Sequence, residues 1–380
     1  MRVSRAFPVL PFLLSANISV QAQASGDASN PLTGSVGIHD PSAVIMEKGV
    51  YYIYQTGGGF KTSRDRLHWT NGGRVFAANP AWWDREILPP EKPALWAGDI
   101  SYWNGTFYYY YSVSAWMDFH SCIGLATNTT LNPDDPAYKW VDRGKVIDSA
   151  KGNEGRSGNV NVIDPCLFQD GDGRKFLNYG SFTVGMRQIE IDPATGLRPV
   201  NAAKPILISD HLGEASFLIK VGKWYYYTCS RGTCCAAMQS SYQVVYGRSQ
   251  KPTGPFLTRN GGSMEKSAYE VLLSGDAAHP GQGGQSFFRD HDSLFMAYHA
   301  YTAPDGRSLL NIRPVYLDKD EWLTMDPAKG EIIRGGGTAA IRIGGTARTG
   351  RSRAAGPFGN AEAATLLFGK GFDATGASKP

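Results

Sequence analysis

The sequence predicts an all-β protein built as a five-bladed β-propeller, and three observations carry that prediction. The 380-residue chain holds 19 Tyr, 17 Phe and 9 Trp among 45 Gly and 22 Pro, the mixture that pleated strands and tight turns use. One aromatic phrase recurs five times at intervals close to the size of a propeller blade. A polar residue precedes each copy at a nearly fixed distance. With 42% hydrophobic residues, 19% charged residues and a formal charge of +4, the composition supports an ample core and excludes a disordered or polybasic nucleic-acid-binding chain.

Residues 1–24 read as a secretory signal. Arg2 and Arg5 open it, an apolar stretch runs from Ala6 to Leu14, and Ala22-Gln23-Ala24 supplies a small-residue cleavage pattern. Pro8, Pro11 and Asn17 interrupt the stretch, and a membrane-spanning helix needs about 20 apolar residues. The expectation is therefore a secreted, extracellular protein with no membrane or nucleic-acid partner. Its charge falls to +2 once Arg2 and Arg5 are removed. In an exported chain, the odd set Cys122, Cys166, Cys229, Cys234 and Cys235 leaves at least one thiol outside any pairing within the chain. Spacing assigns no pairs. Adjacent Cys234 and Cys235 suit packing or a local disulfide better than a metal or redox motif, because no C-x-x-C pair or nearby His accompanies them. Asn104-Gly105-Thr106 and Asn128-Thr129-Thr130 match the glycosylation acceptor triplet, a pattern that also arises by chance.

Residues 25–334 read as the propeller. The aromatic phrases are Val50-Tyr51-Tyr52-Ile53-Tyr54, then Thr106 to Tyr111, Lys175 to Tyr179, Lys223 to Tyr227 and Ser293 to Tyr298. Taking Tyr51, Phe107, Phe176, Trp224 and Leu294 as markers, the intervals are 56, 69, 48 and 70 residues. Asp40, Asp99, Asp164, Glu214 and Gln285 lie 11, 8, 12, 10 and 9 residues before their markers. Turns such as Glu47-Lys48-Gly49 and Asp170-Gly171-Asp172-Gly173 fall between, so each polar residue is expected to begin the first strand of a hairpin. Innermost strands of a propeller surround one axis, which would gather four carboxylates and an amide at one end of a channel. The Asp170 turn lacks the remaining ligands of a calcium loop and reads as a turn.

Clustered carboxylates suit glycosidic hydrolysis. Like charges and burial keep one acid protonated while another stays ionised, giving a general acid and a base. Trp96 and Trp116 could offer flat faces to sugar rings as readily as they could pack a core. G-x-S-x-G, H-E-x-x-H and P-loop motifs are absent from the sequence.

The motifs His39-Asp40-Pro41-Ser42, Trp96-Ala97-Gly98-Asp99-Ile100, Val162-Ile163-Asp164-Pro165, Tyr179-Gly180-Ser181-Phe182, Gly213-Glu214-Ala215-Ser216 and Tyr298-His299-Ala300-Tyr301 resemble, in order, the blade motifs of family 43 glycoside hydrolases. The stretch from Cys234-Cys235 through Ser241-Tyr242 to Gly247-Arg248-Ser249 resembles the arabinanase branch. The resemblance spans roughly Gly34 to Met325. It implies a five-bladed endo-1,5-α-L-arabinanase that cleaves pectic arabinan with inversion, with Asp40 as general base, Glu214 as general acid and Asp164 tuning and orienting the acid. His39, Trp96, Asp99, Trp116, Asn161 and Ser181, in or beside matching motifs, are the substrate-binding candidates. Gly98 stands where the family usually has Pro, which is expected to loosen that turn while keeping Asp99.

No cofactor is required for the chemistry. The resemblance implies a structural calcium held by a fifth-blade His, but the aligned segment Gly281 to Ser286 contains none. The metal ligands are therefore unassigned, with His299 as a candidate neighbour or a packed strand residue. The 335–380 segment, rich in Gly, Ala and Arg, reads as a flexible tail and not a carbohydrate-binding module. A monomer acting on arabinan is expected. An exo-acting α-L-arabinofuranosidase or β-xylosidase would keep the same three carboxylates, and a binding-only propeller would lose one. The 48-residue interval between the third and fourth markers points to an open groove.

Overall fold

Runs of aromatic and other apolar residues let these strands bury both faces against neighbouring layers, and the five aromatic phrases become the second strands of five antiparallel sheets. A computed structural model describes residues 32–335 except 88–90, 117 and 153–159, together with the short strand Arg342–Ile343. The expected signal segment, and the tail apart from Gly335 and that strand, lie outside the described residues.

Sheet I contains Ile45–Glu47, Val50–Tyr54, Gly59–Ser63 and His68–Arg74, with Thr33–Gly34 and Arg342–Ile343 pairing parallel at its edges. Sheet II contains Ala94–Trp103, Thr106–Ala115, Asp118–Asn128 and Val141–Asp148. Sheet III contains Cys166–Gln169, Lys175–Ser181, Gly185–Ile191 and Ile206–Ser209. Sheet IV contains Glu214–Val221, Trp224–Arg231, Gln243–Ser249 and Glu270–Ser274. Sheet V has three strands, Gly283–Asp290, Ser293–Thr302 and Arg307–Pro314. A small sheet of Tyr316–Leu317, Leu323–Thr324 and Glu331–Ile332 follows it.

The hairpins turn where the sequence supplies left-handed backbone. Lys48-Gly49 (φ 48° and 81°) and Asn104-Gly105 (φ 49° and 75°) are two-residue turns of the twist that hairpins favour. Asn104, read as part of a glycosylation triplet, is thus a hairpin turn residue. Asp170 is buried and accepts hydrogen bonds from Lys220 Nζ (3.2 Å) and the Tyr225 hydroxyl, so the Asp170 loop anchors sheet III to sheet IV.

Five apolar clusters fill the seams between consecutive sheets. Tyr54, Phe60, Tyr109 and Tyr111 pack sheet I on II, and Tyr110, Leu125, Leu177 and Tyr179 pack II on III. Phe168, Phe176, Leu218 and Tyr227 pack III on IV, and Phe217, Tyr226, Phe287 and Met296 pack IV on V. Ile53, Trp69, Phe288 and Leu310 pack V back on I. Hydrogen bonds close that last seam: Ile38 N–H donates to Ser308 O (3.1 Å) and Leu310 N–H to Val36 O (2.8 Å). Asp290 on sheet V also accepts from the Tyr51 hydroxyl (3.0 Å) and pairs with Arg66 (2.9 Å).

Candidate active site

First strands and the loops leading into them are stitched to one another around a narrow cavity of about 30 Å³ lined by Asp40, Asp99, Asp164, Ala215, Gly284 and Gln285, among others. Asp99 accepts from the backbone N–H of Ala43 on one side (3.0 Å) and of Leu167 on the other (3.3 Å). Asp164 accepts from Ala215 N–H (3.0 Å). Gln285 donates to Ala215 O (2.8 Å), and Ser286 donates to Ser42 O (2.7 Å). The hydrogen bonds therefore run from I to II to III to IV to V and back to I.

The polar residues do not all begin strands. Asp40 and Asp164 precede theirs, Glu214 is the first residue of its strand, and Asp99 and Gln285 lie inside theirs. Local backbone accounts for this: Asp40 (φ 47°), Asp164 (57°), Ala215 (51°) and Gly284 (57°) are left-handed, and register shifts interrupt the pairing at Leu95/Gly98, Glu214/Phe217 and Gly283/Ser286. Gly98 is part of one such bulge and not of a loosened turn. A Cβ there would meet Tyr109 Oη at 2.5 Å and Tyr110 O at 2.7 Å, so close packing demands glycine.

Asp40 is half-buried. His39 Nδ1 lies 2.7 Å from its Oδ2, and the Thr56 hydroxyl donates to the same oxygen at 2.7 Å. Its own N–H donates to His299 Nδ1 (3.2 Å), and the His39 and His299 rings stack with centroids 4.0 Å apart. Burial opposes ionisation of Asp40, but the charge and hydrogen bond of His39, with His299 and Thr56, hold its pKa below the usual carboxylate range.

Glu214 is pushed the other way, up to about 7, by burial and by the charge of Asp40, against the hydrogen bond from Tyr242 and the charge of His39. The Tyr242 hydroxyl donates to Glu214 Oε1 from a buried position. Asp164 is raised well above its ordinary value by burial and by the charges of Glu214 and Asp40. One carboxylate is thus ionised and two are protonated at mildly acidic pH, as acid–base chemistry on a glycosidic bond requires.

The structure brings Asp40, Asp164, Glu214 and His39 together. Trp96 is half-buried with its ring 6.3 Å from that of Trp116, which is 68% exposed, so the two make an open aromatic surface. Asp99 lines the cavity but presents little surface, and Ser181 is buried without lining it. Asp99 is 4% exposed with its oxygens committed to backbone amides, and Ser181 is fully enclosed at the end of its strand. Asn161 is also nearly closed to solvent, at 6%. Tyr242, Tyr301 and Thr56 join the site unannounced by the repeat, because each reaches it from a segment outside the first strands; only Tyr242 and Tyr301 lay within motifs already noted.

Among the described residues, two groups bring three metal-type donors together, His39 with Cys234 and Cys235, and His39 with Asp40 and His299. In the first the sulfurs are bonded to each other. In the second, His39 Nδ1 and His299 Nδ1 are already engaged with Asp40. Gln285, in the segment where a calcium-holding His was expected, is buried and spent on Ser230, Ala215 and Thr228. These residues do not fit a calcium ion.

The model of the glycosyl hydrolases family 43 matches residues 29–323. The chain is 33% identical over 307 residues to the extracellular exo-α-(1→5)-L-arabinofuranosidase ArbA of Cellvibrio japonicus, covering 77% of this chain and 87% of that protein. It is 34% identical over 287 residues to the extracellular endo-α-(1→5)-L-arabinanase 1 of Bacillus subtilis, covering 73% and 83%. Among solved structures, an exo-1,5-α-L-arabinanase from a bovine ruminal metagenomic library superposes with a TM-score of 0.70 at 36% identity, covering 76% of this chain and 97% of that one. The Cellvibrio cellulosa α-L-arabinanase complexed with arabinohexaose gives 0.71 at 30% identity, covering 77% and 96%.

Proposed function

The chain belongs to glycosyl hydrolase family 43, and on that premise we propose that it is a secreted, five-bladed propeller enzyme cleaving internal α-1,5-L-arabinofuranosidic bonds of arabinan with inversion. The observation that carries the reading is the opposed protonation of two carboxylates in one cleft, Asp40 held ionised and Glu214 raised to about 7. Support for the five blades comes from the five seams and the closed cycle of hydrogen bonds. Support for arabinan and for export comes from the names of the relatives.

In this mechanism Asp40 takes a proton from the attacking water. Its Oδ2 is occupied by His39 and Thr56, which leaves Oδ1 for the water. Gly284 faces that oxygen without a side chain; a Cβ there would stand 2.8 Å from it. Glu214 protonates the leaving oxygen, steadied on Oε1 by Tyr242. Asp164 accepts from the backbone N–H of Ala215, directly after the acid, and so holds the strand start that carries Glu214. Trp96 and Trp116 receive sugar rings.

An exo-acting reading has its own support, since ArbA and the ruminal structure are both named exo-acting. Product sizes from linear debranched arabinan separate the two. Early release of mixed arabino-oligosaccharides is expected. Arabinose or a single short product from the outset would move the assignment to exo action, and no release from arabinan or arabinoxylan would leave a binding propeller.

A further inference from the structure

The seam where sheet V closes on sheet I carries a second cleft, of about 400 Å³, which shares no lining residue with the catalytic cavity. Ser35, Lys61, Asn71 and Arg307 line it beside the apolar Val36 and Leu309, and no Asp or Glu does. Strand register places the lysine there. Ile53, Lys61 and Asn71 are opposed across three consecutive strands of sheet I, so they share one face, and Ile53 packs that face toward sheet V. The apolar row thus ends in an ammonium and an amide.

Lys61 is 4% exposed, and its Nζ makes one hydrogen bond, to Asn71 Oδ1 at 2.8 Å. Buried ammonium groups are ordinarily paired with an acid. Lys61 has no ion-pair partner among the described residues, and burial lowers its pKa with no carboxylate to restore it. Lys175, the other buried lysine among the described residues, at least lies over the Trp103 ring, 4.8 Å from its centre. Two N–H groups of Lys61 are left for a ligand. Because Asn71 Oδ1 accepts from Lys61, the amide NH₂ stands as a further donor. Ser35 adds a hydroxyl, and the exposed Arg307 engages Asp305 through Nε (2.6 Å), which leaves its terminal NH₂ groups.

We propose that this cleft is a second, non-catalytic binding site for an acidic oligosaccharide, taking the carboxylate of a hexuronate unit on Lys61 and Arg307. Asn71 and Ser35 donate to the carboxylate and hydroxyl oxygens, and Val36 and Leu309 meet the C–H face of the ring. A lone inorganic anion would leave most of the volume unfilled, whereas a sugar acid matches walls that are part apolar and part hydrogen-bonding. The site is independent of the roles given to Asp40 and Glu214.

The test is isothermal titration calorimetry of the full chain with trigalacturonate at low salt, with its neutral methyl ester and inorganic phosphate as comparison probes. One molecule is expected to bind, at least tenfold tighter than either comparison probe, and to weaken as salt is raised. Lys61→Met, which keeps the length of the side chain, should weaken binding at least tenfold. Arg307→Ala, at an exposed position, should weaken it at least threefold. Gly37→Asp should abolish it, because a Cβ on this lining residue meets nothing within 4 Å and the new carboxylate would repel the ligand. These two surface variants decide the matter even where Lys61→Met fails to fold. Trp116→Ala should bind as the parent does. Absent binding, equal binding of the ester or of phosphate, or binding unaffected by Arg307→Ala and Gly37→Asp would each overturn the proposal. Loss in Trp116→Ala would place the ligand in the catalytic cleft and overturn it too.

Discussion

Asp40 and Glu214 are carboxylates beside the same cleft, and their neighbours alone separate their roles. Burial disfavours charge on both, but only Asp40 has an imidazole and a hydroxyl on the same oxygen. Replacing either by its amide should cost at least about a hundredfold in kcat, the range expected for one acid or base, while the melting temperature stays close to that of the parent. Retained turnover in Asp40→Asn or Glu214→Gln would reject the assignment. The raised pKa of Glu214 also fixes a pH dependence. An acid that works protonated loses activity as pH rises through its own pKa, so kcat/KM should fall tenfold per unit above about pH 7. The Tyr242 hydrogen bond favours ionised Glu214. Tyr242→Phe should therefore move the alkaline limb to higher pH, and an unmoved limb would show that another group sets it.

At the scale of elements, the site depends on short stretches of left-handed backbone and on bulges where strands begin. Gly284 is the sharpest case: at φ 57°, an added Cβ would lie 2.6 Å from His299 Nδ1 and 2.8 Å from Asp40 Oδ1. Gly284→Ala should therefore reduce kcat more than tenfold and lower stability by about 1–3 kcal/mol, a typical cost of such strain, both measurable on one preparation by turnover and thermal melts. The aromatic strands, their hairpin turns and the three carboxylates were legible in the sequence, because aromatic runs buried on both faces and a recurring interval leave a direct trace. The pairing of Cys234 with Cys235 was one of two options that spacing left open. The burial of Asp99 and Ser181 was not legible, because position near a motif does not fix which way a strand turns its side chains, and bulges re-aim them. Tyr301 reaches His39 and Thr56 reaches Asp40 across 262 and 16 residues of chain, distances on which no local pattern bears.

For the whole molecule, the decisive interactions lie between sheets. Asp99 ties sheets I and III from its place in sheet II, and burial raises its pKa to about 7 against the pull of the amides it accepts. Asp99→Asn would set an amide NH₂ against a backbone N–H and should cost about 1–3 kcal/mol, seen as a melting temperature lower by several degrees. With its pKa raised in the folded state, the contribution of Asp99 is complete below the ordinary carboxylate value near 4 and is lost as pH rises through about 7. The gap in melting temperature between parent and variant should narrow over that interval, and a gap that widens would contradict the assignment. The cycle of seams closes where Val36 and Ile38 pair with Leu310 and Ser308, two residues before Asp40. His299 and Tyr301, which order Asp40 and His39, belong to the same late sheet. A ribosome that has released residues 1–270 has already made the proposed acid and base with His39 and Thr56, yet neither His299 nor Tyr301. Catalytic competence thus arrives abruptly with the final hairpin, so cleavage of arabinan reports that the two ends of the fold have met.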